Sequence, residues 1–253
     1  MTHDLSAAVQ MQLMRPAQVE AAARAFPVVY VPFGLIEWHG QHLPLGVDAL
    51  KAHAILVKCA EKFGGVVYPP VYFPHAMHNA ETGHLYPADC GWKLAMVTAL
   101  FERLKQTGFR VIIGVSGHNI TTQLELINEA LQPVVADHRC TGVGLWEMSL
   151  SQGPESSSDH AAKWETSNML YFYPEQVDLA VLGTAPLTPH QKPPHGIGGL
   201  DPRAHASVSV GRRNVELTSD SIGQKARELL ATLPPSEQGF GLPALNPDHW
   251  WGV

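Results

Sequence analysis

Charge is sparse in this sequence and nowhere concentrated. Asp, Glu, Lys and Arg make up 16% of the 253 residues, the net charge is −6, and Arg212-Arg213 is the only adjacent basic pair. Nucleic-acid binding needs a concentrated cationic face, which basic residues so scattered cannot build. Long apolar runs are missing too. None reaches the roughly 18–20 residues of a membrane helix, and Met1 to Arg15 carries an early acid with no uniform apolar stretch, so neither a membrane span nor a signal peptide is expected. Cysteine is rare, and Cys59, Cys90 and Cys140 lie far apart. That excludes a disulfide framework and a closely spaced thiolate metal site, and makes the cytoplasm the expected compartment. Repeats and low-complexity segments are absent as well. What remains is ordinary globular composition, 45% hydrophobic, enough for one sizeable α/β domain over residues 1–253.

Histidine is what the chain has in excess, with 14 copies. Several (His39, His42, His75, His78, His84, His118, His190, His195) fall in turn-rich segments, where side chains converge on sites more often than on cores. The apolar pattern supplies the frame around them. A short helix is expected over Ala17 to Ala25, then a buried strand at Pro27 to Val31. Ala52, Ile55, Leu56, Cys59 and Phe63 recur at helical spacing from Asp48 until Gly64-Gly65. A second strand is expected over Val66 to Tyr72, interrupted by Pro69-Pro70. Asp89 can cap a helix carrying Leu94, Val97, Phe101 and Leu104. Phe109 to Val115 is the clearest buried strand, followed by a helix with Ile120, Leu124, Ile127 and Leu131 on one side. A fourth strand (Val143 to Met148), a helix (Asp159 to Tyr173), a Gly/Pro/His-rich loop (183 to 209) and a last helix (Ser219 to Leu233) complete the reading. Strands alternating with helices predict a three-layer α/β/α fold with a mostly parallel sheet, whose ligands sit beyond the C-terminal strand ends.

Chemistry-bearing residues do follow strands. In Gly34-Leu35-Ile36-Glu37-Trp38-His39-Gly40, an extended backbone would point Glu37 and His39 to one side and Trp38 to the other. Asp48 lies nine residues past His39 at a helix start, and its two carboxylate oxygens could bridge two cations. His118 follows the Phe109 to Val115 strand. Two carboxylates and two imidazoles suit zinc, manganese or iron better than magnesium or calcium. Each residue alone also has a structural reading: Asp48 as an N-cap, His118 as a loop histidine, Glu37 as a surface acid.

The segment Val31-Pro32-Phe33-Gly34-Leu35-Ile36-Glu37-Trp38-His39-Gly40-Gln41-His42-Leu43-Pro44-Leu45-Gly46-Val47-Asp48 resembles the N-terminal signature of creatininase-like amidohydrolases. Ser116-Gly117-His118-Asn119 is similar to that family's second signature, and His160-Ala161-Ala162-Lys163-Trp164-Glu165-Thr166-Ser167 to its third. Gly199-Leu200-Asp201-Pro202-Arg203-Ala204 resembles a further loop, with Leu200 inserted. The resemblance implies a homo-oligomer, commonly a ring-like hexamer, and two divalent transition-metal ions (Zn, Mn or Fe) on Glu37, His39, Asp48 and His118. Two departures stand out. Creatinine-hydrolysing members keep a glutamate two positions after the second-signature histidine, where this chain has Ile120, and a tryptophan four positions before the third-signature histidine, where it has Ser156.

The expected reaction is hydrolysis of a small amide, lactam or formamide by metal-activated water. His160 is the expected proton shuttle, with a local structural role as its alternative. Glu165 is the best replacement ligand for the missing glutamate, or a support to a metal-bound histidine. Five residues apart on one helix, His160 and Glu165 would point about 140° apart, so a shared site requires His160 to precede the helix. Asn119, Trp164 and His78 are candidate substrate contacts, His75 could line the same pocket, and Trp250-Trp251 read as packing or subunit-contact residues. Two other functions stay open: peptide cleavage, as in the family's branch that trims a redox-cofactor precursor, and a non-catalytic metal- or ligand-binding relative.

Overall fold

The computed structural model describes residues 5–72, 92–150, 159–190 and 192–235. His75, His78, His84, Asp89, Cys90, Ser156, Trp250 and Trp251 therefore lie outside the described residues. In chain order the main elements are α1 (Pro16–Ala25), β1 (Val28–Phe33), α2 (Val47–Phe63), β2 (Val66–Val67), α3 (Trp92–Gln106), β3 (Val111–Ser116), α4 (Thr121–Val135), β4 (Thr141–Trp146), α5 (Lys163–Phe172), α6 (Pro202–His205) and α7 (Val208–Ala231).

The strands form one parallel sheet in the order β2-β1-β3-β4, with Val28 opposite Val111 and Val111 opposite Thr141. Parallel strands need helical crossovers, which leave both sheet faces covered. Alternation along β1 assigns the faces. Val29, Val31 and Phe33 pack with α1, α3 and α4, through Val19, Phe101 and Ile127 among others. Val28 and Tyr30 pack with α2, α5 and α7, through Ile55, Phe172 and Ile222. Every residue of β1 and β3 is buried, and full burial of each large apolar side chain stabilises the fold by about 1.5–3 kcal/mol. The three layers are those expected from the sequence. No helix among the described residues is long and apolar enough to cross a membrane.

Several boundaries differ from the sequence reading, beginning with β1, which runs two residues past Val31 to Phe33, and β3, which begins at Val111 instead of Phe109. β2 stops at Val67 because Pro69 and Pro70 lack the N–H a ladder needs; Val71 then makes a single bridge to Phe33. β4 begins two residues early, at Thr141, and Glu147–Leu150 form a 3-10 turn instead of continuing it. α5 begins at Lys163 and not at Asp159, whose side chain accepts the N–H groups of Trp164 (2.6 Å) and Glu165 (3.2 Å) from ahead of the helix. α7 begins at Val208, eleven residues before the expected Ser219, inside what reads as loop. Its first turns bury Gly211, Asn214, Val215 and Thr218, a face too polar to show as an apolar stripe. A Cβ on Gly211 would lie 2.0 Å from the Ser167 carbonyl oxygen, so glycine is what lets α7 close on α5 there.

Candidate metal centre

The N-terminus of α2 inserts between the segments that follow β1 and β3, and two glycines permit the approach. A Cβ on Gly34 would lie 2.1 Å from Ala49 N, and one on Gly117 would lie 2.1 Å from the Asp48 carbonyl oxygen. Asp48 is consequently the second residue of α2 and does not cap it; Gly46 holds the N-cap position. Its carboxylate is divided between two histidines. Oδ1 lies 3.2 Å from His39 Nε2, and Oδ2 lies 3.2 Å from His118 Nδ1.

Glu37 and His39 reach the same volume, as extended backbone would require. Glu37 Oε2 lies 3.0 Å from His118 Nδ1. His39 Nδ1 stands 3.1 Å from the Glu37 carbonyl oxygen and donates to it, which turns Nε2 toward the carboxylates. Glu165, in the first turn of α5, brings Oε2 to 3.5 Å from His39 Nε2. Two triads result, Glu37–Asp48–His118 and His39–Asp48–Glu165, with ligand atoms within 4.8 Å of one another and Asp48 common to both. Glu37, His39 and a nitrogen of His160 form a third, overlapping group. All five residues of the two triads are buried.

Buried carboxylates repel one another and demand positive charge. Burial opposes protonation of His39, yet Glu165 and Asp48 raise it to about 10. Burial likewise opposes protonation of His118, while the hydrogen bonds it donates to Asp48 and Glu37 raise it to about 9. Against the opposing effect of burial, His39 and His118 hold Asp48 well below the usual carboxylate range. A cluster that draws protons this strongly also fits cations: the donor set is borderline, the histidine orientation is fixed, and the acid content is too high to stand alone.

His160 precedes α5, as a shared site requires, in a short antiparallel bridge to Gly198. Its ring stacks on His39 at 4.5 Å between centroids, and its Nε2 stands 2.9 Å from the Trp38 carbonyl oxygen. Burial, then the neighbouring His39, lower its pKa. Neutral His160 therefore donates Nε2–H to Trp38 and keeps Nδ1 as its basic nitrogen. Ala161 takes φ 52°, the left-handed region that side chains disfavour, and aims its N–H at Glu165 Oε2 (2.7 Å).

Of the remaining candidates, Asn119 donates Nδ2–H to Met148 Sδ at 3.4 Å. The Trp164 ring lies 4.2 Å from Lys163 Nζ. The Trp38 ring packs against Gly196, where a Cβ would lie 2.6 Å from it. Ile120 stands at the N-cap of α4 and offers no side-chain donor atom. Sequence reasoning gave His190 and His42 no role beyond lying in turn-rich segments, and it passed over Lys51 and Glu147. His190 lies 4.4 Å from the His160 ring, and His42 Nε2 contacts Thr166 Oγ1 at 3.0 Å. Lys51 and Glu147 are both fully buried beside Glu165, 3.1 Å from each other. The available signal for Lys51 was its place between Ala52, Ile55 and Asp48 on the apolar side of α2.

A family model described as creatinine amidohydrolase (creatininase) matches residues 12–225. The chain belongs to the creatininase family. Creatinine amidohydrolase of Pseudomonas putida is 26% identical over 196 residues, covering 69% of this chain and 75% of that one. A mycofactocin precursor peptide peptidase of Mycolicibacterium smegmatis (strain ATCC 700084 / mc(2)155) is 32% identical over 171 residues, covering 64% and 65% respectively. A crystal structure of creatininase superposes with TM-score 0.74 at 22% identity, covering 90% of this chain and 99% of the other, which establishes the shared fold. A glutamate-to-glutamine creatininase variant complexed with creatine superposes with TM-score 0.72, also at 22% identity and with the same coverage. Creatininase-family membership and the buried donor groups together make this chain a metal-dependent hydrolase in general terms.

Proposed function

We propose that this chain is a dinuclear amidohydrolase that cleaves a C–N bond of a small amide, lactam or formamide. The observation that carries this reading is the division of one carboxylate, Asp48, between two donor triads. Glu37 and His118 would hold one divalent ion, His39 and Glu165 the other, and Asp48 would bridge them. The ions would supply Lewis acidity toward the carbonyl and acidify water near neutral pH. The protein supplies the rest. His39 is locked in the tautomer that exposes Nε2, and burial strengthens every charge in the cleft. His160, neutral and stacked over His39, accepts a proton at Nδ1 and returns it to the leaving nitrogen. Asn119 and Trp164, with His78, are the proposed substrate contacts. The proposal includes a cytoplasmic homo-oligomer, hexameric by the family resemblance, whose size light scattering would measure.

A second reading is peptide cleavage, favoured by the 32% identity to the mycofactocin precursor peptidase, the higher of the two relatives' values. Metal-replete protein, assayed against a panel of small amides, lactams and formamides and against peptides carrying the precursor's type of cleavage site, separates the two. Hydrolysis of peptides alone selects the second reading. Two bound ions with turnover of neither class leave a ligand-binding relative.

A further inference from the structure

Lys51 has no exposed surface, which is rare for lysine unless the ammonium is fully paired. Its Nζ lies 2.5 Å from the Gly117 carbonyl oxygen, 3.1 Å from Glu147 Oε1 and 3.1 Å from Glu165 Oε1. An ammonium has three hydrogens, and each has an acceptor here. None remains for a substrate or a water, so Lys51 is neither nucleophile nor base. Its three partners belong to three parts of the site. Gly117 immediately precedes His118, Glu147 opens the turn after β4, and Glu165 sits in the first turn of α5. Asp48 stands one turn earlier on the helix that carries Lys51.

The two oxygens of Glu165 are thereby separated by role. Oε1 is held by Lys51, whereas Oε2 accepts the Ala161 N–H and faces His39 Nε2. We propose that Lys51 is a positioning residue for the second metal: it pins Glu165 Oε1, so that Glu165 presents only Oε2 to the ion shared with His39 and Asp48. This rests on Glu165 being a ligand. Because Ile120 supplies no donor, the orientation of Glu165 then decides whether a second ion binds.

The competing explanation is that Lys51 is only a counterion for Glu147 and touches Glu165 incidentally. Cobalt(II) titrated into chelator-stripped full-length protein distinguishes them, because its visible absorption reports the coordination of each ion. Wild type should take two ions. Lys51→Met leaves Glu147 buried without its cation and invites misfolding, so the informative variant is Lys51→Met/Glu147→Gln, with its fold checked by circular dichroism. It should bind the first ion as wild type does and the second about 10–100-fold more weakly, the usual loss for an outer partner of a ligand, with an altered second-ion spectrum. Binding of both ions with wild-type affinity and spectrum would overturn the proposal. Glu147→Gln alone, which keeps Lys51 on Glu165, should retain the second ion; a loss there as large as in the double variant would also overturn it. Glu165→Ala tests the underlying ligand assignment separately. If that variant binds two ions as wild type does, the assignment itself fails.

Discussion

Metal loading should expel protons, and the amount can be worked from the site. On protein charges alone His39 is raised to about 10 and His118 to about 9, both from 6.5. At pH 7.5 the metal-free chain therefore carries two imidazoliums at nitrogens that a metal needs as lone pairs. Ligation must displace both, because a coordinating histidine is neutral. The carboxylates Asp48 and Glu165 add nothing to the count, since both are held below their usual range and are ionised already. The imidazoles thus release about two protons per chain on full loading, and acidified water at the ions adds to that floor. The product of the two binding constants should rise about 100-fold per pH unit between pH 7 and 8.5. Calorimetric titration with zinc in buffers of different ionisation enthalpy measures the count directly. Release of less than one proton would refute the reasoning, because the histidines would then be neutral before metal arrives. The same shifts fix a stability trend with a definite sign. Both pKa values are raised, so imidazolium–carboxylate pairing stabilises the metal-free chain fully below pH 6.5. That contribution, on the order of a few kcal/mol, is lost as pH rises through about 9 and 10. The metal-free melting temperature should fall across that window.

Four further outcomes are expected. Wild type should hold two ions by elemental analysis and Asp48→Ala markedly fewer, and undiminished content in the variant would defeat the bridging role. His160→Ala should keep its metal while kcat drops about 10²-fold or more; parallel metal loss would make His160 a ligand instead. Creatinine should be turned over with kcat/KM well below about 10⁴ M⁻¹s⁻¹, since Ile120 stands where creatinine-hydrolysing relatives keep a carboxylate; efficient creatine formation would contradict this. Gly34→Ala forces a Cβ to 2.1 Å from Ala49 N, so denaturant titration should show a loss of about 1–3 kcal/mol or more together with weakened metal binding, and a neutral change would exclude the close approach.

Much of the architecture was legible in the chain because burial repeats with the period of the backbone. The runs Val28–Phe33 and Val111–Ser116 are buried at every position and apolar apart from Ser116 and the Tyr30 hydroxyl, as suits strands covered on both faces, and the helices between them require parallel pairing. Glu37, His39, Asp48 and His118 could be named because each follows a strand or opens a helix, and strand ends in such a sheet converge. Tertiary structure decided the rest. The early start of α7 was hidden because Gly211 is buried for close approach to α5 and Asn214 for a hydrogen bond to Asn168, not for apolarity. The late start of α5 follows from Asp159 serving its first N–H groups from a distance, and only that start puts His160 over His39 while Glu165 faces it. Lys51 and Glu147 lie 96 residues apart, and their pairing around Glu165 exists only after the sheet has closed. Periodicity records which side of an element is buried; it does not record which buried charges meet, because that depends on contacts between elements distant in sequence.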